Sequence, residues 1–133
     1  MTFCAQAQTD EAQIREVITT AYVNGIHNAG PIADIKAGFH QAFKMMVQSN
    51  GNVSEVSRDG WIERIEAGRK RNPNPDPNRP KAIGEFARIS VTGTNATVEL
   101  HLMRDGKKVF TDNLALYKMD DGWKIVSKTF YRH

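Results

Sequence analysis

The chain has a single cysteine, no long apolar run and no recognisable metal-ligand spacing, and each shortage removes a class of protein. Cys4 has no partner for an internal disulfide, so the fold must stand on its own core, as expected in a reducing compartment. It is a poor nucleophile candidate too, because residues 1–8 read as a disordered tail. Apolar stretches last only a few residues, Met45-Met46-Val47 among them, against the ~18 that a membrane-spanning helix needs. Met1 to Gln8 carry neither the positive charge nor the apolar centre of an export leader, so a cytoplasmic location is expected. HExxH, CxxC, GxxxxGK and GxGxxG are absent and the 4 histidines are scattered. Neither a metal nor another cofactor is therefore expected. Charge is short as well: the net value is +3, and the basic run Arg69-Lys70-Arg71 has no interleaved aromatics. Nucleic-acid platforms place stacking residues within their basic stripe, so no nucleic-acid or membrane partner is expected.

What is present suits one compact α+β domain spanning residues 1–133. The 133 residues are 40% hydrophobic and 25% charged, enough for a core that buries roughly two-thirds of the unfolded surface. Ile14, Val17, Ile18, Ala21, Tyr22, Gly25 and Ile26 follow the i, i+3, i+4, i+7 rule of a one-sided helix. Thr9 or Asp10 can cap its start, and Asn28-Ala29-Gly30-Pro31 ends it. Pro31 opens a second, short helix carrying Ile32, Ile35 and Phe39. Phe43 to Gln48 and Asn52 to Val56 are β-prone runs around the turn signal Ser49-Asn50-Gly51. A third helix, capped by Ser57 or Asp59, presents Trp61, Ile62 and Ile65. Residues 72–80 hold 4 of the 5 prolines and read as a surface loop. Ala82 to Thr92, Asn95 to Met103, Lys108 to Met119 and Trp123 to Tyr131 form a meander punctuated by glycine turns.

The stretch Phe110-Thr111-Asp112-Asn113-Leu114-Ala115-Leu116, then Asp120 to Gly122, then Trp123 to Lys128, resembles the closing hairpin of the nuclear transport factor 2-like superfamily, in the branch named for lumazine binding. The order of elements, the Tyr22 to Gly25 helix end, Phe39-His40 and an early aromatic in the third helix, Trp61, agree with it. The resemblance implies a cone in which a curved antiparallel sheet wraps around three helices and encloses a pocket. It also implies a homodimer formed through the outer sheet face. The chain departs from the family pattern in three places: Gln41-Ala42 follows His40 where Pro-Asp is usual, Asn113 replaces a common tyrosine, and Tyr131 replaces a common histidine.

Strand periodicity aims Asp112 at the apolar face shared by Phe110, Leu114 and Leu116. With Asp120-Asp121 at the turn tip, Asp112 pairs with Thr129 and Phe110 with Tyr131, gathering an acid and two hydroxyls. His40 closes the second helix at the pocket mouth, as a proton exchanger or simply as a carbonyl cap. Tyr22 and Trp61 are core residues with polar tips, suited to a pocket wall. Glu99 and His101 fall on the solvent face of their strand. Three functions fit: a binding domain for a partly apolar or aromatic small molecule, walled by Tyr22, Phe39, His40, Trp61, Asp112, Thr129 and Tyr131; a cofactor-independent isomerase, cyclase or dehydratase with Asp112 as base and Tyr22 or His40 polarising a carbonyl; or a dimeric assembly module, with Ala115, Tyr117, Val126, Asn113 and Lys128 on its pairing face. The first is favoured.

Overall fold

A computed structural model describes residues 8–133, and all of the expected tail but Gln8, Cys4 included, lies outside them. Helix α1 (Asp10–Val17) starts at Thr9, whose side-chain oxygen accepts a hydrogen bond from the Ala12 amide at 3.1 Å. The same helix then changes register and runs on as a π-helix over Ile18–His27. Asn28 leaves this segment and clamps it to the sheet: its side chain accepts from the Ala82 amide at 2.8 Å and donates to the Ala82 carbonyl at 3.0 Å.

Helix α2 (Ile32–Gly38) packs back on the π segment, and Gly38 sits so close to Ala21 that a Cβ there would collide with the alanine methyl. Strand β1 (Phe39–Ser49) follows without a loop, so Phe39 and His40 open a strand and do not end a helix. Strand β2 (Asn52–Ser57) returns antiparallel to it. Helix α3 (Arg58–Arg71) is capped by Ser57, which accepts from the Gly60 amide at 3.1 Å. Residues 72–81, with their prolines, contain neither helix nor strand.

Strands β3 (Ala82–Thr92), β4 (Asn95–Arg104), β5 (Lys107–Met119) and β6 (Gly122–Arg132) complete a six-stranded sheet in the order β2-β1-β6-β5-β4-β3. It is mostly antiparallel, as expected; the one parallel pairing joins β1 to β6, with a break between Phe39 and Lys44. One sheet face and the helices share a core of Ile14, Ile18, Ile35, Leu100, Leu114 and Ile125, among others. At the far end Asp10 accepts from Lys118 Nζ at 2.9 Å and from the Trp123 indole N–H at 3.0 Å, tying the start of α1 to β5 and β6. Among the described residues, no helix is long and apolar enough to cross a membrane.

Two irregularities decide what the core contains. In β6, Leu116 pairs with Ile125 but Ala115 pairs with Ser127, so Val126 is an extra residue in the strand. A β-bulge of this kind shifts everything beyond it by one place. In the π segment, i→i+5 bonding sets residues five apart near one another, whereas in an α-helix they diverge by about 140°.

Candidate functional site

Beyond the bulge, Asp112 pairs with Phe130 and Lys128 with Leu114, while Thr129 pairs with Asn113 and Tyr131 with Thr111. The expected pairings of Asp112 with Thr129 and of Phe110 with Tyr131 are therefore corrected: Thr129 and Tyr131 project from the outer face, Tyr131 at 67% exposure. The outer-face assignment of Lys128 is corrected by the same shift. Its side chain points inward and is only 3% exposed.

Inside the core, Tyr22, Asp112 and Lys128 meet. Tyr22 Oη donates to Asp112 Oδ2 at 2.6 Å. Asp112 Oδ1 lies 2.9 Å from Lys128 Nζ, an ion pair whose geometry is not that of an aligned hydrogen bond. Asp112 is fully buried. Four rings surround the ammonium, with centroids at 4.0 Å (Phe130), 5.3 Å (Tyr22), 5.8 Å (Trp61) and 5.9 Å (Phe110). Such distances suit cation–π attraction. Met45 Sδ, 3.8 Å from Nζ, closes the remaining side.

Burial dominates the electrostatics. It pushes the Tyr22 hydroxyl well above its ordinary pKa, and the negative charge of Asp112 adds to the shift. It lowers the Lys128 ammonium, with Asp112 opposing the effect. His27 belongs to the same neighbourhood: its ring meets Tyr22 edge-on at 4.9 Å and Phe110 at 5.9 Å. Burial first, and then the positive charges of Lys128, Arg104 and Arg79, bring its pKa down to about 3. The imidazole is thus neutral at ordinary pH, and Nε2 is shielded from solvent with no hydrogen-bond partner among the described residues.

Phe39 and Trp61 also belong to this aromatic group, 5.8 Å apart, and Trp61 stacks on Phe43 at 5.9 Å. His40 does not join it. It sits half-buried where β1 leaves the sheet, its Nδ1 accepting from the Ala42 amide at 3.0 Å, in a surface hollow shared with Lys36, Arg58 and Lys124. A larger cleft of ≈ 320 Å³, between α1, the π segment, α2 and the β5–β6 turn, is lined by none of the triad residues. Glu99 and His101 face each other across 3.4 Å on the outer sheet surface.

Sequence reasoning missed Lys128 and His27. Lys128 had a signal: the apolar residues of β6 occupy odd positions at Trp123 and Ile125 but an even one at Phe130, and a change of parity within a strand marks a bulge. His27 had none, because the 3.6-residue period that identifies the helix does not align it with Tyr22. Among the described residues no three His, Cys, Asp or Glu side chains gather as metal ligands would.

The family model described as "Putative lumazine-binding" matches residues 9–131. Among solved structures, a nuclear transport factor 2-like protein of unknown function from Shewanella baltica OS155 shares 23% identity, with 93% of this chain and 94% of that one covered and a TM-score of 0.72. One from Silicibacter pomeroyi DSS-3, also of unknown function, shares 20% identity over 92% and 95% of the two chains at a TM-score of 0.72. A third, from Cytophaga hutchinsonii ATCC 33406, reaches 0.70 at only 10% identity, over 95% of this chain and 100% of that one. No curated protein matches the chain. The α+β cone is therefore the nuclear transport factor 2-like fold, and the chain belongs to the family whose matching model is described as "Putative lumazine-binding".

Proposed function

We propose that the protein binds a small planar molecule at the Tyr22–Asp112–Lys128 triad, and that the molecule presents an anionic or carbonyl oxygen to Lys128. One observation carries the reading: an ion pair is buried inside an otherwise aromatic enclosure. Such pairs are weak contributors to stability, because desolvating two charges offsets most of their attraction. Perturbed, buried charges with a specific partner are a mark of functional sites. Lys128 has three N–H donors; Asp112 engages one side of the ammonium and soft or aromatic groups face the rest. An oxygen from a flat ligand would meet there a cation whose neighbours other than Asp112 are soft or aromatic, and the rings would cover its apolar body.

The triad is closed to solvent, so a ligand enters by displacing a wall. Trp61 is that wall, since α3 buries only Ile62 fully and runs on into the irregular 72–81 segment. Binding is favoured over acid–base catalysis by the Tyr22 hydroxyl, which donates to Asp112 and is not free to polarise a carbonyl.

The test is calorimetric titration with benzoate, 2-naphthoate, lumazine and the uncharged 2-naphthylmethanol. The three that carry an anionic or carbonyl oxygen should bind below about 1 mM, near −4 kcal/mol, and the alcohol at least tenfold more weakly. Failure of all three to bind, or equal binding of the alcohol, overturns the reading.

A further inference from the structure

The π-helical path sets His27 five residues after Tyr22, so that the two rings stand in contact. His27 touches two of the four rings that enclose Lys128, Tyr22 and Phe110. Its Nε2 is buried without a partner among the described residues, although buried polar atoms are paired in the large majority of cases. An atom left in that condition destabilises the fold, and an apolar ring of similar size would avoid the cost. Register and ring contacts set the imidazole that carries this nitrogen against the enclosure already described.

From these observations we infer that His27 is a second ligand-contacting residue, and that the ligand carries a hydroxyl or ring N–H group, separate from the oxygen on Lys128, that hydrogen-bonds to His27 Nε2. The inference rests on the proposed binding site and narrows its ligand class, from planar compounds with one polar end to planar compounds with two. A neutral imidazole nitrogen either donates or accepts, and a hydroxyl answers in both cases. An ammonium group would serve poorly at this position, because Lys128, Arg104 and Arg79 already place positive charge around the ring.

The experiment compares acids with and without the second group. Benzoate and 4-hydroxybenzoate, and 2-naphthoate and 6-hydroxy-2-naphthoate, are titrated into the wild-type protein and into His27→Phe. In the wild type the hydroxyl should tighten at least one pair fivefold or more. In His27→Phe that gain should fall below twofold, while the parent acid binds within twofold of wild type and the melting temperature does not drop. A merely structural histidine would leave the hydroxyl gain the same in both proteins, and this result overturns the inference while the site stands. Absence of binding by both parent acids to the wild type overturns the site and the inference together. Should His27→Phe fail to fold, nitrogen NMR of the wild-type imidazole decides. The His27 Nε2 resonance must move when the tighter hydroxylated acid is added and stay within its free position when the parent acid is added; any other pattern overturns the inference.

Discussion

Among the described residues Asp112 and Lys128 are the charged side chains that the fold encloses, at 0% and 3% exposure, and their removal is informative only when the partners are considered together. Lys128→Met alone leaves a buried carboxylate with Tyr22 as its remaining polar neighbour, which should cost about 3–5 kcal/mol. For a domain of this size that lowers Tm by about 10 °C or more. The pair substitution Asp112→Leu with Lys128→Met removes both charges but strands the Tyr22 hydroxyl, a further penalty of about 1–3 kcal/mol. Adding Tyr22→Phe removes that orphan as well. The triple variant should therefore melt at or above the wild-type temperature while binding none of the aromatic acids. Calorimetric melts beside titrations would show it. A triple variant that is less stable than Lys128→Met would mean that the triad holds the fold together and is not maintained at a cost to it.

At the level of elements, the order of helices and strands was legible because it depends on local signals: capping residues, the proline-rich 72–80 segment, and the glycine turns. Thr9 and Ser57 cap their helices by the mechanism their chemistry suggests. The face of Asp112 was legible for the same reason, since β5 keeps one parity from Phe110 to Leu116. What escaped was set by single-residue changes of period, Val126 in β6 and the π register from Ile18 onwards. Each leaves composition untouched and alters only which neighbours a side chain meets. The π segment has its own pH signature. The pKa of His27 in the fold, about 3, lies below the usual 6.5 of an unfolded histidine, so the unfolded chain binds more protons between those values. Stability from this group is then complete above pH 6.5 and is lost as pH falls toward 3, by at most about 1.4 kcal/mol per unit. Tyr22, Lys128, Arg104 and Arg79 are the groups around the ring, and the two arginines keep their charge throughout this range. Urea unfolding from pH 7 to pH 4 should show a steeper loss in the wild type than in His27→Phe. Parallel slopes would refute the partly buried, neutral histidine.

For the whole molecule, the side of the sheet away from the helices is broad and mixed in character, and several of its described residues are exposed. Thr97, Asn113, Ala115, Ser127 and Thr129 line a hollow of ≈ 290 Å³ there, with Arg88 and Glu99 at its edges. Tyr117 and Tyr131 stand out at 49% and 67% exposure. Small and hydroxyl-bearing residues let two sheets approach face to face, and aromatics of this kind are enriched at protein interfaces. A two-fold interface puts the same patch on both copies, so charge is tolerable only where opposite signs meet across the axis, as Arg88 and Glu99 would permit. The bulge strengthens the case, because by turning Lys128 inward it removes from this face a cation that would otherwise be repeated on both copies. We therefore expect a homodimer, with about 800 Å² covered on each partner if the interface is of standard size. Light scattering should give twice the 14.9 kDa chain mass at tens of micromolar. Ala115→Arg, which places a bulky cation at the centre of the patch on each copy, should return the mass to that of one chain. Circular dichroism should stay unchanged, since Ala115 projects away from the core. A wild-type protein that remains monomeric at high micromolar concentration would rule the dimer out and leave the triad as a site that one chain completes alone.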